Sequence, residues 1–453
     1  MPCLRGSRFQ ELKRLTKCKS FETRIQNVDH MPIITAIRAY EIIASGGTPS
    51  METRVELDDG SVGISSVPFG ASAGEYEAVV LFDGDPNRFR GKGMLKAVGN
   101  VNTEIAEALV GKDAGELRAI DEALVALDGT PNKARLGGNA VLSVSLAVAR
   151  ALAHSQRLPV FQLLKEQYQL PERPNRLPYP MMVILEGGRH ADNSTDFQEY
   201  LVVPEGAPSV HEGVRWGVEV MMALKDILKK EHLSTNVGNE GAFAPAGIAS
   251  NELPLELITA AIEVAGFVPG KDIYIAMDPA SSEVFDEGMY RLPKDGKALN
   301  SQEMIDLFLS WVEKYPFISL EDVLDENDWE HWPELTARLR EKNVLSIGDD
   351  LTVTNVQRLQ QAIDQRAISG LLVKYNQVGS LSETIDAMVL ANENDIATIV
   401  SHRGGGETNG TFMIDLAVAA GARYVKVGPT RGERVGKYNR LIAIEQLLAQ
   451  PGA

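Results

Sequence analysis

Cysteine and long apolar runs are nearly absent from this sequence. Its 453 residues include only two cysteines, Cys3 and Cys18, so a disulfide framework is excluded for the body of the chain. No apolar run reaches the roughly eighteen residues that cross a bilayer, and no signal-peptide core follows the basic start. We therefore expect a cytoplasmic protein without a membrane-spanning segment.

A surplus of positive charge is also absent. Lys and Arg number 45 against 62 Asp and Glu, which gives a net charge of -17. We therefore expect no general affinity for nucleic acid or for an anionic membrane surface. A small anionic substrate is still compatible with this charge if metal ions or a local basic cluster reverse the field at the site.

Three parts of the chain differ in pattern. Residues 1–30 are basic and are predicted to be an extension ahead of the folded domains; a targeting arm is the alternative, but this stretch has too few serines and too many acids. Residues 31–168 are predicted to form a small α+β capping domain, because β-branched strand patterns and an Asp-Asp-Gly turn precede helical segments. Residues 169–453 alternate apolar runs with amphipathic helices and are predicted to form a β/α barrel catalytic domain.

Six short apolar runs in the second half of the chain each stop at an ionisable residue. These residues are Asp278, Glu321, Asp349, Lys374, His402 and Lys426. The intervals between them, 43, 28, 25, 28 and 24 positions, fit one strand, one helix and two loops per step. Barrel enzymes carry their chemistry where strands end, so the six side chains are expected to meet at one mouth. One such residue could merely cap a strand, but six with both signs of charge indicate a site.

Three carboxylates on consecutive strands indicate a metal site. Asp278, Glu321 and Asp349 would repel one another unless a hard divalent cation neutralised them. Oxygen ligands without cysteine favour Mg²⁺ over zinc. The cations that would hold a carboxylate and a phosphoryl group are Lys374, His402, Arg403 and Lys426. The sequence therefore predicts a metal-bound small substrate with two anionic groups.

From about Met31 onward the sequence resembles the enolase family. The matching segments are GASAGEYEA (70–78), GGNAVLSVSLA (137–147), GGRHADN (187–193), QEY (198–200), GNEG (238–241), AMDPASSE (276–283), SLEDVLDENDW (319–329), GDDLTVTN (348–355), KYNQVGSLSET (374–384), SHR (401–403) and KVG (426–428). The resemblance implies an enolase-type (β/α)8 barrel preceded by a small α+β N-terminal capping domain. It also implies a hydro-lyase that removes the proton next to a carboxylate and expels hydroxide from the neighbouring carbon.

The resemblance assigns roles to the residues at matching positions. The implied ligands of two Mg²⁺ ions are Asp278, Glu321, Asp349 and Ser72. The implied base is Lys374, whose ammonium pKa the metal ions and Lys426 would lower. The implied acid is Glu240, with Glu199 and His190 placed around the same hydroxyl group. The implied substrate-binding residues are Gln198, His402, Arg403, Gly404, Gly405 and Lys426.

The sequence departs from the enolase pattern at several motif positions. Gly46 stands where the family has an Arg that bridges subunits to Glu433, so the expected homodimer or higher homo-oligomer would have altered geometry. The departures near the implied site are Phe69, Ala73, Glu186, Asn239 and the glycines 404–406. After Arg403 the family has a Ser, and losing its hydroxyl removes a hydrogen bond to phosphate of about 1.5–3 kcal/mol. The three glycines predict a wider phosphoryl pocket.

These departures lead to a substrate hypothesis. We expect the family's elimination chemistry on 2-phosphoglycerate or on an analogue with an enlarged phosphoryl group, as in the formation of carboxyphosphonoenolpyruvate in phosphonate antibiotic biosynthesis. One alternative is an ordinary glycolytic enolase, which converts 2-phosphoglycerate into phosphoenolpyruvate. Another is a non-catalytic binding protein descended from an enolase, and the retained charge cluster argues against it. In each catalytic case the partner is a small anionic phospho- or phosphono-carboxylate.

Overall fold

A computed structural model of the protein describes residues 31–70, 76–171 and 177–450. The predicted basic extension 1–30, with both cysteines, and the predicted metal ligand Ser72 lie outside the described residues. Within the described ranges, no helix is both long and apolar enough to cross a bilayer.

The N-terminal part is a three-stranded antiparallel sheet with helices. Its strands are β1 (Ile34–Ile43), β2 (Pro49–Leu57) and β3 (Val62–Val67), followed by the short β4 (Phe69–Gly70). Its helices are α1 (Leu95–Asn100), α2 (Ala106–Leu109), α3 (Leu117–Asp128), α4 (Gly138–Gln156) and α5 (Val160–Gln167). Helix α4 is buried on almost every side, as its apolar sequence predicts, and its Ser143 hydroxyl lies 2.7 Å from that of Thr53 in β2.

The remaining chain alternates strands and helices. The strands are β5 (Tyr179–Glu186), β6 (Glu199–Val203), β7 (Tyr274–Asp278), β8 (Phe285–Asp286), β9 (Met289–Leu292), β10 (Lys297–Leu299), β11 (Phe317–Glu321), β12 (Leu345–Gly348), β13 (Gly370–Val373), β14 (Ala397–Ser401), β15 (Gly405–Gly406) and β16 (Tyr424–Val427). The helices are α6 (Val210–Lys230), α7 (Leu253–Val264), α8 (Ser301–Lys314), α9 (Trp332–Glu341), α10 (Val356–Gln365), α11 (Tyr375–Val378), α12 (Leu381–Glu393), α13 (Phe412–Ala419) and α14 (Arg434–Leu448).

Eight of these strands close into a barrel in the order β5-β6-β7-β11-β12-β13-β14-β16, and β16 pairs with β5. The predicted fold class, a barrel preceded by a small α+β domain, is confirmed. Strand β6 alone among the eight runs antiparallel to both neighbours. Its first residue, Glu199, therefore pairs with Glu186 and with Asp278, the last residues of β5 and β7. This reversal brings Glu199 to the carboxyl end of the other strands.

Several barrel helices begin at side-chain caps. Ser209 accepts a hydrogen bond from the Glu212 amide, which caps the start of α6 at Val210. Asn300 and Glu303 form a reciprocal capping box on α8. These caps fix where each helix begins and therefore where the side chains of the preceding loop lie.

Candidate active site

The carboxyl ends of the barrel strands enclose one cavity. The residues that line it are Gly70, Glu77, His190, Gln198, Glu199, Glu240, Asp278, Ala280, Glu283, Asp322, Asp349, Asp350, Lys374, Ser401, His402, Arg403, Gly404 and Lys426. Eleven sequence-predicted residues are therefore brought together: Gln198, His190, Glu199, Glu240, Asp278, Asp349, Lys374, His402, Arg403, Gly404 and Lys426. Glu321 and Gly405 do not line this cavity; Glu321 lies behind Lys426 and Gly405 belongs to β15.

The ammonium group of Lys426 lies among three buried carboxylates. Its Nζ is 2.8 Å from Asp278 Oδ2, 2.7 Å from Glu321 Oε1 and 2.9 Å from Glu199 Oε2. Burial favours the neutral lysine, but the three carboxylates raise the pKa of Lys426 well above its ordinary value. Lys426 therefore carries a fixed positive charge at the centre of the acidic cluster.

Asp322 is an additional carboxylate of this cluster. Its two oxygens accept hydrogen bonds from the amides of Asp349 (3.0 Å) and Asp350 (2.9 Å), so it holds the loop after β12. One oxygen from each of Asp278, Glu321 and Asp322 lies within 4.8 Å of the others, and the same is true of Asp322, Asp349 and Asp350. The predicted group of three carboxylates is thus two overlapping groups that share Asp322.

Lys374 directly follows β13 and contacts Asp349. Its ammonium group forms an ion pair with Asp349 Oδ2, and its backbone amide donates to the Thr354 hydroxyl at 2.9 Å. Burial lowers the pKa of Lys374, but acidic neighbours, chiefly Asp349 and also Glu321, leave the pKa above its ordinary value. Lys426 lowers the pKa of Lys374, as predicted, but in the protein alone the net shift is upward, and the combined lowering by metal ions and Lys426 stays a prediction.

The N-terminal domain contributes Glu77 to the site. Glu77 Oε1 accepts hydrogen bonds from Arg403 Nη1 at 3.2 Å and from Gln377 Nε2 at 3.4 Å. Gln377 Nε2 also donates to Asp349 Oδ1 at 2.8 Å. This chain of contacts links the predicted phosphoryl-binding Arg403 to the predicted metal ligand Asp349.

A second group of carboxyl side chains surrounds His190. Its Nδ1 lies 3.7 Å from Glu186 Oε2, 3.8 Å from Glu199 Oε1 and 3.7 Å from Glu240 Oε1, and it makes no hydrogen bond. Burial lowers the pKa of His190, and the carboxylates of Glu240 and Asp278 offset part of this effect. The predicted acid Glu240 and its predicted neighbours Glu199 and His190 therefore meet at one point, together with Glu186.

His402 lies between Glu240 and Arg434. Its Nε2 lies 3.3 Å from Glu240 Oε2, while its Nδ1 accepts a hydrogen bond from Arg434 Nε at 3.2 Å. Burial alone would raise the pKa of Glu240, but His402 and His190 hold it well below its ordinary value. The ionised form of Glu240 is therefore favoured in the substrate-free protein.

A model described as the enolase C-terminal TIM barrel domain matches residues 174–453, and one described as the enolase N-terminal domain matches residues 34–164. The chain belongs to the enolase family. It is accordingly an enolase-superfamily hydro-lyase, and enolases are generally magnesium-dependent. The exact domain boundary predicted after residue 168 stays a prediction.

The departure from other enolases at Gly404 has a clear steric reason. A Cβ atom at this position would lie 2.7 Å from Glu240 Oε1 and 2.8 Å from His190 Nε2, closer than such contacts allow. The next two glycines pair with β4, Gly405 with Gly70 and Gly406 with Phe69. The space left by the missing side chains is thus filled by Glu240, His190 and β4. The predicted widening of the pocket by glycines 404–406 is not what this packing produces.

Gly46, at the position of the family's subunit-bridging Arg, packs in the same region. It has a φ of 72°, and a Cβ there would lie 3.2 Å from the Gly405 carbonyl oxygen. Glu433, the family partner of that Arg, instead forms an ion pair with the adjacent Arg434. The effect of Gly46 on a homodimer stays a prediction.

Proposed function

We propose that this enolase-family protein eliminates water from a relative of 2-phosphoglycerate that is altered at phosphorus, as in the formation of carboxyphosphonoenolpyruvate. The observation that carries the elimination chemistry is that Lys374 and Glu240 line one buried cavity through separate sets of contacts. Lys374 forms an ion pair with Asp349, which directly follows β12, whereas Glu240 lies within 4 Å of two imidazole rings. Such a division lets one group take a proton while another gives one.

Magnesium fits the carboxylate groups found here. Two overlapping sets of three carboxyl groups, all buried except the half-buried Asp350, offer oxygen ligands within 4.8 Å of one another, and oxygen ligands are what Mg²⁺ prefers. We propose two ions, held by Asp278, Glu321 and Asp349 with Ser72 as an additional ligand, and with Asp322 orienting the loop. When bound, the metal would stabilise the negative charge that grows on the substrate carboxylate.

Lys374 is the proposed base. In the protein alone its ion pair with Asp349 keeps it protonated. Where the charge of Asp349 is taken up by metal ligation, the cations Lys426 and Arg403 and the burial of the amine are left to lower the pKa of Lys374. The neutral amine would then accept the α-proton of the substrate at Nζ.

Glu240 is the proposed acid, with Glu199 and His190 beside the departing hydroxyl. Lys426 and Arg403 would bind the carboxylate and the phosphorus group, respectively, as charge-assisted hydrogen-bond donors. His402 would lie beside the phosphorus group, because it directly precedes Arg403 and both line the cavity. Gln198 and Gly404 line the same cavity and complete the proposed substrate site.

The proposal of a substrate altered at phosphorus is supported by the missing hydroxyl at Gly404. The other enolases have Ser there, and without it a phosphate oxygen loses one donor. A Ser at this position would place its Cβ 2.7 Å from Glu240 Oε1 and 2.8 Å from His190 Nε2, so these side chains would have to move. A substrate that does not depend on this donor is therefore favoured over 2-phosphoglycerate.

Steady-state kinetics with Mg²⁺ would test the substrate. The two substrates to be compared are 2-phosphoglycerate and its analogue that carries a carboxyl group on phosphorus. ³¹P NMR identifies the product formed from each. We expect a higher kcat/KM for the analogue, with a housekeeping enolase showing the reverse order. A rate on 2-phosphoglycerate equal to that of the housekeeping enzyme, with no turnover of the analogue, would contradict the proposal.

Ordinary dehydration of 2-phosphoglycerate is the second candidate. It is favoured by the packing at Gly404, since Glu240 and His190 fill the volume that a larger phosphoryl group would need. The same kinetic comparison decides between the two substrates.

A further inference from the structure

Glu186 is a buried carboxyl group at the centre of the acid side of the site. It is the last residue of β5 and has no exposed surface. Its Oε2 accepts a hydrogen bond from the Glu240 amide at 3.1 Å, and its Oε1 accepts one from the Gly241 amide at 3.2 Å. Glu186 thus holds the backbone of the proposed acid, and the enolase pattern has an Asn at its position.

His190 connects the two carboxyl groups. Its Nδ1 is 3.7 Å from Glu186 Oε2 and 3.7 Å from Glu240 Oε1, without a hydrogen bond to either. This nitrogen and one oxygen of each carboxyl group lie within 4.8 Å of one another. A small ring movement in the substrate complex would bring Nδ1 within hydrogen-bond distance of each in turn.

Burial and the nearby Glu240 carboxylate favour the protonated form of Glu186. Burial and the Glu240 carboxylate raise the pKa of Glu186 to about 8, and Arg434 and the two amides offset only part of this effect. Glu199, its neighbour across the β5–β6 pairing, also has a pKa well above the ordinary value because it is buried. Glu240 has the opposite preference, since His402 and His190 favour its ionised form. A protonated Glu186 can still accept both backbone hydrogen bonds while its hydroxyl is free to donate.

We propose that Glu186 holds the proton that Glu240 delivers to the leaving hydroxide, and passes it through Nδ1 of His190. The O–H bond of Glu186 breaks as an N–H bond forms at His190 Nδ1. That N–H bond then breaks as an O–H bond forms at Glu240 Oε1. The net change moves one proton from Glu186 to Glu240 and leaves a carboxylate on Glu186 that two backbone amides stabilise. Glu186 is a positioning residue, and the inference rests on the proposed role of Glu240.

Infrared spectroscopy of the substrate-free protein tests where the proton lies. Spectra are taken with saturating Mg²⁺, which keeps the metal-side carboxyl groups ionised, across a pH titration. We expect a carboxylic-acid C=O band that disappears as the pH rises through about 8 and is absent from Glu186→Gln. The control Glu313→Gln, on an exposed surface helix, should keep the band. A Glu186→Gln spectrum identical to that of the unaltered protein would overturn the proposal.

Kinetics then tests whether the proton is used. We expect kcat of Glu186→Gln to fall by roughly a hundredfold or more with a smaller change in KM, because the Gln carbonyl oxygen can still accept one of the two backbone hydrogen bonds that position Glu240. In Glu186→Gln the alkaline limb of the pH profile of kcat should shift. Glu186→Asp should restore part of the lost rate. An unchanged kcat profile in Glu186→Gln would overturn the relay. Full activity of Glu240→Gln would instead show that Glu240 is not the acid. The infrared spectra test only where the proton lies, so the two failures can be distinguished.

Discussion

Replacing Lys426 by Met should make the stability of this enolase depend on magnesium. Lys426 makes three contacts of 2.7 to 2.9 Å with Glu321, Asp278 and Glu199, and all four side chains are almost fully buried. Breaking a buried ion pair costs about 3–5 kcal/mol because a charge is left uncompensated. We therefore expect the free energy of unfolding of metal-free Lys426→Met to fall by about 3–5 kcal/mol or more.

Magnesium should reverse much of this loss. The uncompensated carboxylates would bind Mg²⁺ more tightly than those of the unaltered protein, and a ligand at a hundred times its Kd stabilises the folded state by about 2.7 kcal/mol. Urea unfolding with and without Mg²⁺ measures both effects. The matched control is Lys437→Met, which breaks the buried contact with Glu407 at 3.1 Å, away from the carboxylate groups. If Mg²⁺ stabilises both variants equally, or if metal-free Lys426→Met is as stable as the unaltered protein, the reasoning is refuted.

Three further predictions concern single side chains. Lys374→Ala should lower kcat by roughly 10²–10⁴-fold while Mg²⁺ affinity is retained. NMR should show that this variant no longer exchanges the substrate α-proton with solvent deuterium. Gly404→Ser should lower kcat with either substrate rather than restore activity on 2-phosphoglycerate, because its Cβ would press on Glu240 and His190; equal or higher kcat would count against this packing. The raised pKa of Glu186 favours the folded state below the ordinary carboxyl pKa, and this contribution is lost as the pH rises towards 8. Urea unfolding should therefore show Glu186→Gln gaining stability relative to the unaltered protein over that interval, by roughly 1.4 kcal/mol per pKa unit, and a difference independent of pH would contradict it.

The strand-end pattern correctly predicted that several ionisable side chains meet at the carboxyl end of the barrel. Parallel strands bring their carboxyl ends to one rim, so an ionisable residue after an apolar run is enough to place Asp278, Asp349 and Lys374 together. The strand-end pattern did not identify β5 and β6 as barrel strands. Strand β5 is apolar up to Glu186 and is entirely buried, and β6 runs in the opposite direction, so its site residue Glu199 comes first rather than last.

Other site residues depend on contacts that no local pattern encodes. Glu77 reaches Arg403 from a different domain, and Gln377 links it to Asp349. Asp322 carried a usable signal, since it directly follows Glu321 as Asp350 follows Asp349, but a neighbouring pair of acids does not say which one faces the metal. The raised pKa of Lys374 likewise requires the contact with Asp349 to be seen.

The glycines at 404–406 show how a composition argument can mislead. Glycine was interpreted as added space, yet other groups already lie against Gly404 and Gly406. A missing side chain in the sequence does not distinguish an open pocket from close packing. Only the positions of Glu240, His190 and β4 decide between them.

Calorimetric titration with Mg²⁺ tests most directly whether the strand-end carboxylates form a metal site. We predict binding to the unaltered protein, a loss of affinity of roughly tenfold or more in Asp278→Asn, and no change in Asp306→Asn, whose carboxylate is on an exposed surface. Absence of binding to the unaltered protein, or equal affinity in Asp278→Asn, would contradict this account and favour a non-catalytic binding protein.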